Sequence, residues 1–229
     1  RDIGASGGLT FRANASRSAR IIILWSSEKD VDVKITMGGA NGNSRNGNRG
    51  GRGGISVFKL TMKKDFEYIV KLGVAYNNGD GARGGINGGG GLAVIYEKAR
   101  VVAVCGGGGG AGVSGRGGDG GGGRLSGCTI GLYYNQQGLA PCADIGTEND
   151  KEIFRKNNGD SYSDTLLLRG YKAGQGHRNN GGAGSGNGGG GGAGARGGTG
   201  TSNNGGGGGA SGYQSGQIEL LPSSVLPEG

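Results

Sequence analysis

Short apolar runs alternate along this chain with polar and glycine-rich stretches. From Val31 to Met37 every second residue is apolar, which is typical of a β-strand with one buried face. The β-branched run at residues 21–25 lies between polar clusters and predicts a fully buried strand. Two strand pairs are predicted further on, each joined by a polar or charged turn, at residues 55–60 with 68–72 and at residues 92–96 with 100–104.

Glycine runs separate these strands, at residues 38–54, 79–91, 106–123 and 170–212. A folded segment without side chains must still find partners for its backbone N–H and C=O groups. The polyglycine II conformation meets that need, because it turns every three residues, makes no internal hydrogen bonds and points its polar groups outward. Glycine lets such helices approach closely enough to bond to one another.

Together these patterns predict a mostly β fold with almost no α-helix: a small antiparallel β-sandwich base that carries packed polyglycine II helices. The strand and glycine-run unit defines a first domain at residues 1–124. Residues 125–169 interrupt the glycine pattern as an insert, and residues 170–229 form a glycine-rich segment with a closing strand. The alternative is one continuous domain.

Composition and charge narrow the classes of partner. Glycine supplies 62 of the 229 residues and aromatic residues only 6%, so the conventional core must be small. The net charge of +8 suits a polyanion such as nucleic acid, lipopolysaccharide or another acidic surface. Alternatively, the basic residues only keep a glycine-rich protein soluble. No apolar run approaches the roughly 20 residues of a transmembrane helix, and a start at Arg1 is typical of a processed protein or a fragment.

The order of elements carries a family resemblance. The chain has a strand at 31–37, a glycine run, strands at 55–60 and 68–72, a second glycine run, and a strand at 100–104 followed by Gly106–Gly110. This order resembles the glycine-rich domains of bacteriophage tail-fibre and adhesin proteins. The order is also similar to the glycine-rich module of some animal receptor kinase ectodomains. For tail-tip adhesins the resemblance implies layered polyglycine II helices whose loop tips contact a bacterial receptor. This chain lacks their aromatic-rich segments between glycine runs.

The insert contains two cysteines that form a candidate disulfide. A bond between Cys128 and Cys142 would close a loop of about 15 residues and contribute roughly 3 kcal/mol in the chain-entropy model. Cys105 is left over, and in a reducing compartment all three thiols stay free. Three cysteines without a Cys-x-x-Cys motif and a single histidine argue against a zinc site.

Tyrosines make the insert and its surroundings the candidate recognition region. Tyrosine is amphipathic and is enriched at binding hot spots. The alternative interpretation is that these rings cover the ends of the glycine bundle. The candidate receptor-binding residues are Tyr133, Tyr134, Tyr162 and Tyr171.

No catalytic or cofactor site is predicted. The chain has no Gly-Lys-Ser/Thr P-loop, and accidental Gly-x-Gly-x-x-Gly matches carry no information in a chain this rich in glycine. The only histidine, His177, lies in a glycine run without a neighbouring nucleophile. Asp160 and Asp164 lack the spacing of a calcium loop. We therefore expect a protein that is not an enzyme and holds no metal or cofactor.

The function expected is that of a non-enzymatic virion or cell-surface protein, most closely a tail-fibre or adhesin-type protein that displays loops for host receptor binding. Its partners would be a receptor protein or polysaccharide, other fibre or virion subunits, or further copies of itself. Three alternatives stay open: a decoration or fibre protein without a receptor, an extracellular glycine-rich ligand-binding module, and a nucleic-acid-binding protein. The last rests on Arg-Gly-Gly triplets, which are dispersed among strands rather than clustered in a tail; they begin at Arg49, Arg52, Arg83, Arg116 and Arg196.

Overall fold

A computed structural model describes residues 10–11, 19–25, 28–73, 88–98, 100–122, 187–195, 197–201, 204–215 and 218–221. The regular elements in these ranges are all β-strands, which confirms the mostly β prediction. The strands are β1 (Ala19–Trp25), β2 (Val31–Gly38), β3 (Ile55–Met62), β4 (Glu67–Gly73), β5 (Ala93–Glu97), β6 (Arg100–Cys105), β7 (Tyr213–Gln214) and β8 (Glu219–Leu220).

The strands form two antiparallel sheets. One sheet has five strands in the order β1-β4-β5-β6-β7, and the other has three in the order β2-β3-β8. The six strands predicted between residues 21 and 104 are each present within one or two residues of their predicted bounds. The hairpin of β5 and β6 is confirmed, with Ala93 opposite Cys105.

The pairing predicted between residues 55–60 and 68–72 is wrong. Strand β3 pairs with β2, whereas β4 pairs with β1 and β5 in the other sheet. The polar turn at Lys63–Asp65 therefore carries the chain from one sheet to the other, and Asp65 has a left-handed φ of 58° there. Phe58 and Leu60 before the turn and Tyr68 after it are buried in the same hydrophobic cluster. Their burial stabilises the crossing of the chain between the two sheets.

Two hydrophobic clusters account for the ordinary core. The first joins side chains from both sheets, including Met37 and Phe58 from one and Ile95 and Val102 from the other. The second includes Val94 and Val104, together with Ala193 and Ala195 from a glycine-rich segment. Strand β5 is buried along its whole length, which explains why its residues 93–96 are all apolar rather than alternating with polar residues.

A buried carboxylate is satisfied where the chain crosses between the sheets. The Tyr68 hydroxyl donates to Glu97 Oε2 at 2.8 Å, and Lys63 Nζ lies 3.6 Å from Glu97 Oε1. The backbone N–H of Lys63 in turn donates to the Tyr68 hydroxyl at 2.8 Å. Burial, reinforced by the Glu97 carboxylate, raises the pKa of Tyr68 to about 12. These contacts leave Glu97 with a partner for each carboxylate oxygen.

Cys105 ends strand β6 inside the first cluster as a free, fully buried thiol. Its Sγ lies 3.3 Å from the Met37 carbonyl oxygen, to which it donates. Burial raises the pKa of Cys105 to about 12 from an ordinary value of 9.0. The two cysteines of the candidate disulfide, Cys128 and Cys142, lie outside the described residues.

We predict that Cys105 contributes to alkaline destabilisation. A thiol with a raised folded-state pKa stabilises the fold fully below pH 9.0 and loses that contribution as the pH rises toward 12. Over that interval the free energy of unfolding should fall by up to about 1.4 kcal/mol per pH unit because of this one group. Urea unfolding between neutral pH and about pH 10.5 should show a shallower fall for Cys105→Ala than for the wild type. Parallel curves would contradict the assignment.

Candidate functional site

The glycine-rich backbone forms one hydrogen-bonded body, which we call the glycine lattice. Its segments leave the ends of the strands: β2 continues into residues 39–44, and β6 continues into residues 106–113. Hydrogen bonds link the segments to one another over long stretches of sequence. The lattice comprises residues 39–44, 49–54, 88–92, 106–113, 115–122, 187–195, 197–201 and 204–212.

The hairpin of β2 and β3 continues into the lattice, where the spacing of its hydrogen bonds changes. In the sheet, Gly38 lies opposite Ile55. Beyond it, hydrogen bonds recur every third residue, from the Gly39 N–H to Gly54 O and from the Gly42 N–H to Gly51 O, each at 2.9 Å. The hairpin closes at Asn46 and Gly47, which have φ values of 49° and 79°. Left-handed φ at two successive positions is what a type I′ turn requires, and Asn-Gly supplies it.

Segment 106–113 lies at the centre of the lattice. All eight of its N–H groups donate to backbone carbonyls of other segments, at 2.7 to 3.0 Å. The direction repeats every three residues, toward segment 115–122, then segment 187–195, then segment 39–44. In order along the segment, the accepting residues are Gly121, Ala193, Ala40, Gly118, Gly190, Asn43, Gly115 and Asn187.

The carbonyls of the central segment reach three further neighbours. Gly106 and Gly109 accept from segment 49–54, and Gly107 and Gly110 accept from segment 204–212. Gly108 accepts from Gly90. With three neighbours that accept and three that donate, the central segment is surrounded by six other stretches of backbone.

Backbone packs directly against backbone in this interior. A Cβ atom on Gly108 would lie 2.1 Å from the carbonyl oxygen of Gly51, and one on Gly109 would lie 1.9 Å from that of Gly207. Such separations lie far inside van der Waals contact, and backbone atoms cannot rotate away. Glycine is therefore required by close approach at these positions. Alanine also occurs in the lattice, as at the fully buried Ala111.

Side chains complete the hydrogen bonding where the lattice ends. Within segment 49–54, the N–H groups of Gly50, Arg52 and Gly53 donate to side-chain oxygens instead of neighbouring backbone. The acceptors are Ser44 Oγ at 3.1 Å, Asp119 Oδ1 at 2.7 Å and Asn41 Oδ1 at 2.9 Å. Ser44, Asn41 and Asp119 thus mark edges of the lattice, a signal that composition alone does not reveal.

Three of the predicted Arg-Gly-Gly triplets come together at one such edge. Segments 49–54 and 115–122 are neighbours, since the N–H groups of Gly117 and Gly120 donate to the carbonyls of Arg49 and Arg52 at 3.0 and 2.7 Å. Arg49, Arg52 and Arg116 are all exposed. Arg116 Nη2 also lies 3.6 Å from Asp119 Oδ1. The triplets at Arg83 and Arg196 begin outside the described residues.

The other predicted site residues are not tested by this geometry. Tyr133, Tyr134, Tyr162, Tyr171 and His177 lie outside the described residues. Within the part of the chain that the structure describes, no group of three or more His, Cys, Asp or Glu side chains is arranged to hold a metal. The same part contains no helix of sufficient length and apolarity to cross a membrane. The chemistry that the lattice does offer is cationic: exposed guanidinium groups on a fixed backbone.

Comparison of the chain with protein-family models, with curated proteins and with solved structures finds no match.

We predict that Gly108→Ala disrupts the fold whereas Gly38→Ala does not. The Cβ of the first variant would overlap the Gly51 carbonyl, so we expect a loss of at least about 3 kcal/mol of unfolding free energy, or no cooperative folding. A Cβ on Gly38 would meet its nearest atom, Ile55 Cγ1, at 3.6 Å, an ordinary contact. Urea denaturation of both variants measures the difference. Equal stability of the two would contradict the close packing.

Proposed function

We propose that the lattice segments are polyglycine II helices packed side by side, on a base in which the two sheets form a sandwich. The three-residue repeat of donor directions in segment 106–113 supports the first part, because polyglycine II has three residues per turn. In a β-strand the N–H groups alternate between two opposite sides and cannot serve three neighbours in turn. The hydrophobic cluster that draws side chains from both sheets supports the second part.

Hydrogen exchange tests the helix proposal. We expect slow exchange for the nine consecutive amides from Gly106 to Ser114, since each donates to another part of the backbone. The exposed turn residues Asn46 and Gly47 provide a fast-exchanging reference within the same protein. Protection of only every second amide, the pattern of an edge strand, would contradict three-fold packing.

We further propose that the chain is a non-enzymatic surface-display protein of the adhesin type, on a virion or at an extracellular surface. The observation that carries this proposal is the closed hydrogen bonding of the central segment, which makes a glycine-rich body rigid without a large apolar core. A rigid support holds the loops that leave it in fixed positions. Loops ordered in advance lose less conformational entropy when they bind a receptor.

The receptor in this proposal is a protein or polysaccharide on a cell surface, and Tyr133 and Tyr134 in the insert are the candidate contacts. Further copies of the chain or other fibre subunits would supply the parent assembly. A decoration or fibre protein would use the same lattice without a receptor, so attachment to cells is the property that separates the two functions.

We predict that the double variant Tyr133→Ala, Tyr134→Ala loses attachment to cells while keeping its fold. Fluorescently labelled protein on a panel of bacterial strains and cultured animal cells measures attachment, and thermal unfolding measures the fold. We expect about a tenfold loss of attachment, as for a hot-spot residue. The matched variant Tyr133→Phe, Tyr134→Phe keeps the rings and should retain most of the binding. Loss of the fold together with attachment would instead assign these tyrosines to packing, and wild-type protein that binds no cell would count against an adhesin.

A further inference from the structure

At the lattice edge, the positions of the exposed arginines follow the three-residue repeat of their segments. The carbonyls of Arg49 and Arg52 both accept from segment 115–122, so these two residues occupy equivalent positions in the three-residue repeat. The carbonyls of Arg116 and Asp119 both face segment 204–212, where a Cβ on Gly206 or Gly209 would meet them at 2.1 and 1.9 Å. Each of the two neighbouring segments therefore presents a row of side chains three residues apart.

The two rows place positive charge on a backbone that is held by hydrogen bonds. At a rise of about 3.1 Å per residue, side chains three residues apart stand roughly 9 Å from each other along a row. Asp119 is the one acidic residue in these two segments, and it accepts the Arg52 N–H and lies beside Arg116. Within these two segments there are three guanidinium groups and one carboxylate, in keeping with the net charge of +8 of the whole chain.

The residue types around this face indicate the class of ligand. Arginine forms paired hydrogen bonds with the oxygens of planar carboxylate groups and tetrahedral sulfate groups. Binding of single-stranded nucleic acid uses aromatic side chains on which bases stack. Segments 39–54 and 115–122 contain no aromatic residue, and their polar side chains other than arginine are Asn, Ser and Asp. Such a face favours a chain of charged sugars over a chain of bases.

We propose that Arg49, Arg52 and Arg116 form a binding face for an acidic polysaccharide. This proposal rests on the proposed display function, because an acidic polysaccharide is one class of cell-surface ligand that a display protein would bind. The ligand lies along the rows, and its sulfate or carboxylate groups contact the guanidinium groups. The backbone below is already held by hydrogen bonds, so binding orders only the side chains.

Titration with purified polymers tests this face independently of cells. The probes are heparin as a sulfated chain, polygalacturonate as a carboxylated chain, dextran as a neutral chain, and a short DNA in single-stranded and duplex form. The test variant is Arg49→Gln, Arg52→Gln, Arg116→Gln in the full chain. The matched control, Lys34→Gln, Lys59→Gln, Lys64→Gln, removes the same charge from other exposed positions. We expect about a tenfold or greater loss of heparin affinity in the test variant and less than about threefold in the control, with binding that weakens in salt.

A single carboxylate change gives a prediction of opposite sign. Asp119→Asn keeps an oxygen that can accept the Arg52 N–H but removes the negative charge from the face. Affinity for heparin should therefore rise, while the urea midpoint of unfolding stays close to that of the wild type. A structural role alone would not strengthen binding, so this variant separates recognition from folding.

Three outcomes would overturn the proposal: equal losses in the two triple variants, tighter binding of DNA than of either acidic polysaccharide through the same arginines, and equal binding of dextran. Failure of the face with attachment through Tyr133 and Tyr134 intact would leave the display function standing. Binding of heparin through the arginines without attachment to any cell would separate the face from that function.

Discussion

The structure depends on one constraint: a backbone buried without side chains must find hydrogen-bond partners for nearly all its own polar groups. Ordering a glycine costs about 0.5–1 kcal/mol more than ordering another residue, and a hydrogen bond contributes a net 0.5–1.5 kcal/mol or so. The two magnitudes are close, so the lattice is stable only if few bonds are missing. The central segment meets this condition, since each N–H from Gly106 to Val113 has a backbone acceptor.

The sheets solve the problem of starting such a lattice. A segment without side chains can pair with any similar segment in any register. A strand pairs specifically, because its apolar residues fix its register. Pairing of Gly38 with Ile55 at the end of β2 and β3 delivers Gly39 and Gly54 already opposite each other. Ala193 and Ala195 attach a later segment to the second hydrophobic cluster. Ordinary hydrophobic burial thus sets the register that the glycines then propagate.

This division explains what could be predicted from the sequence. The alternation at Val31–Met37 and the apolar runs before Gly106 predicted strands correctly, because the pattern of apolar side chains reflects which residues are buried. The partner of β3 was predicted wrongly, because a polar turn can join two strands of one sheet or cross between two sheets. The contacts made after the crossing, such as that of Tyr68 with Glu97, join residues far apart in the sequence. The neighbours of each glycine segment had no signal beyond isolated residues such as Asn41 and Asp119, which mark lattice edges.

The Arg-Gly-Gly repeat takes on a different meaning in this setting. When backbone directions recur every three residues, one position in three at an edge faces solvent and the other two face neighbouring backbone. Gly50, Gly51, Gly53 and Gly54 all lie where a Cβ would come within 2.1 Å of a carbonyl oxygen, whereas Arg49 and Arg52 are exposed. Glycine pairs between arginines are therefore a steric requirement of the packed edge and do not by themselves indicate a flexible nucleic-acid-binding tract. An Arg-Gly-Gly triplet that lies among β-strands should therefore be interpreted first as a lattice edge whose arginines are exposed.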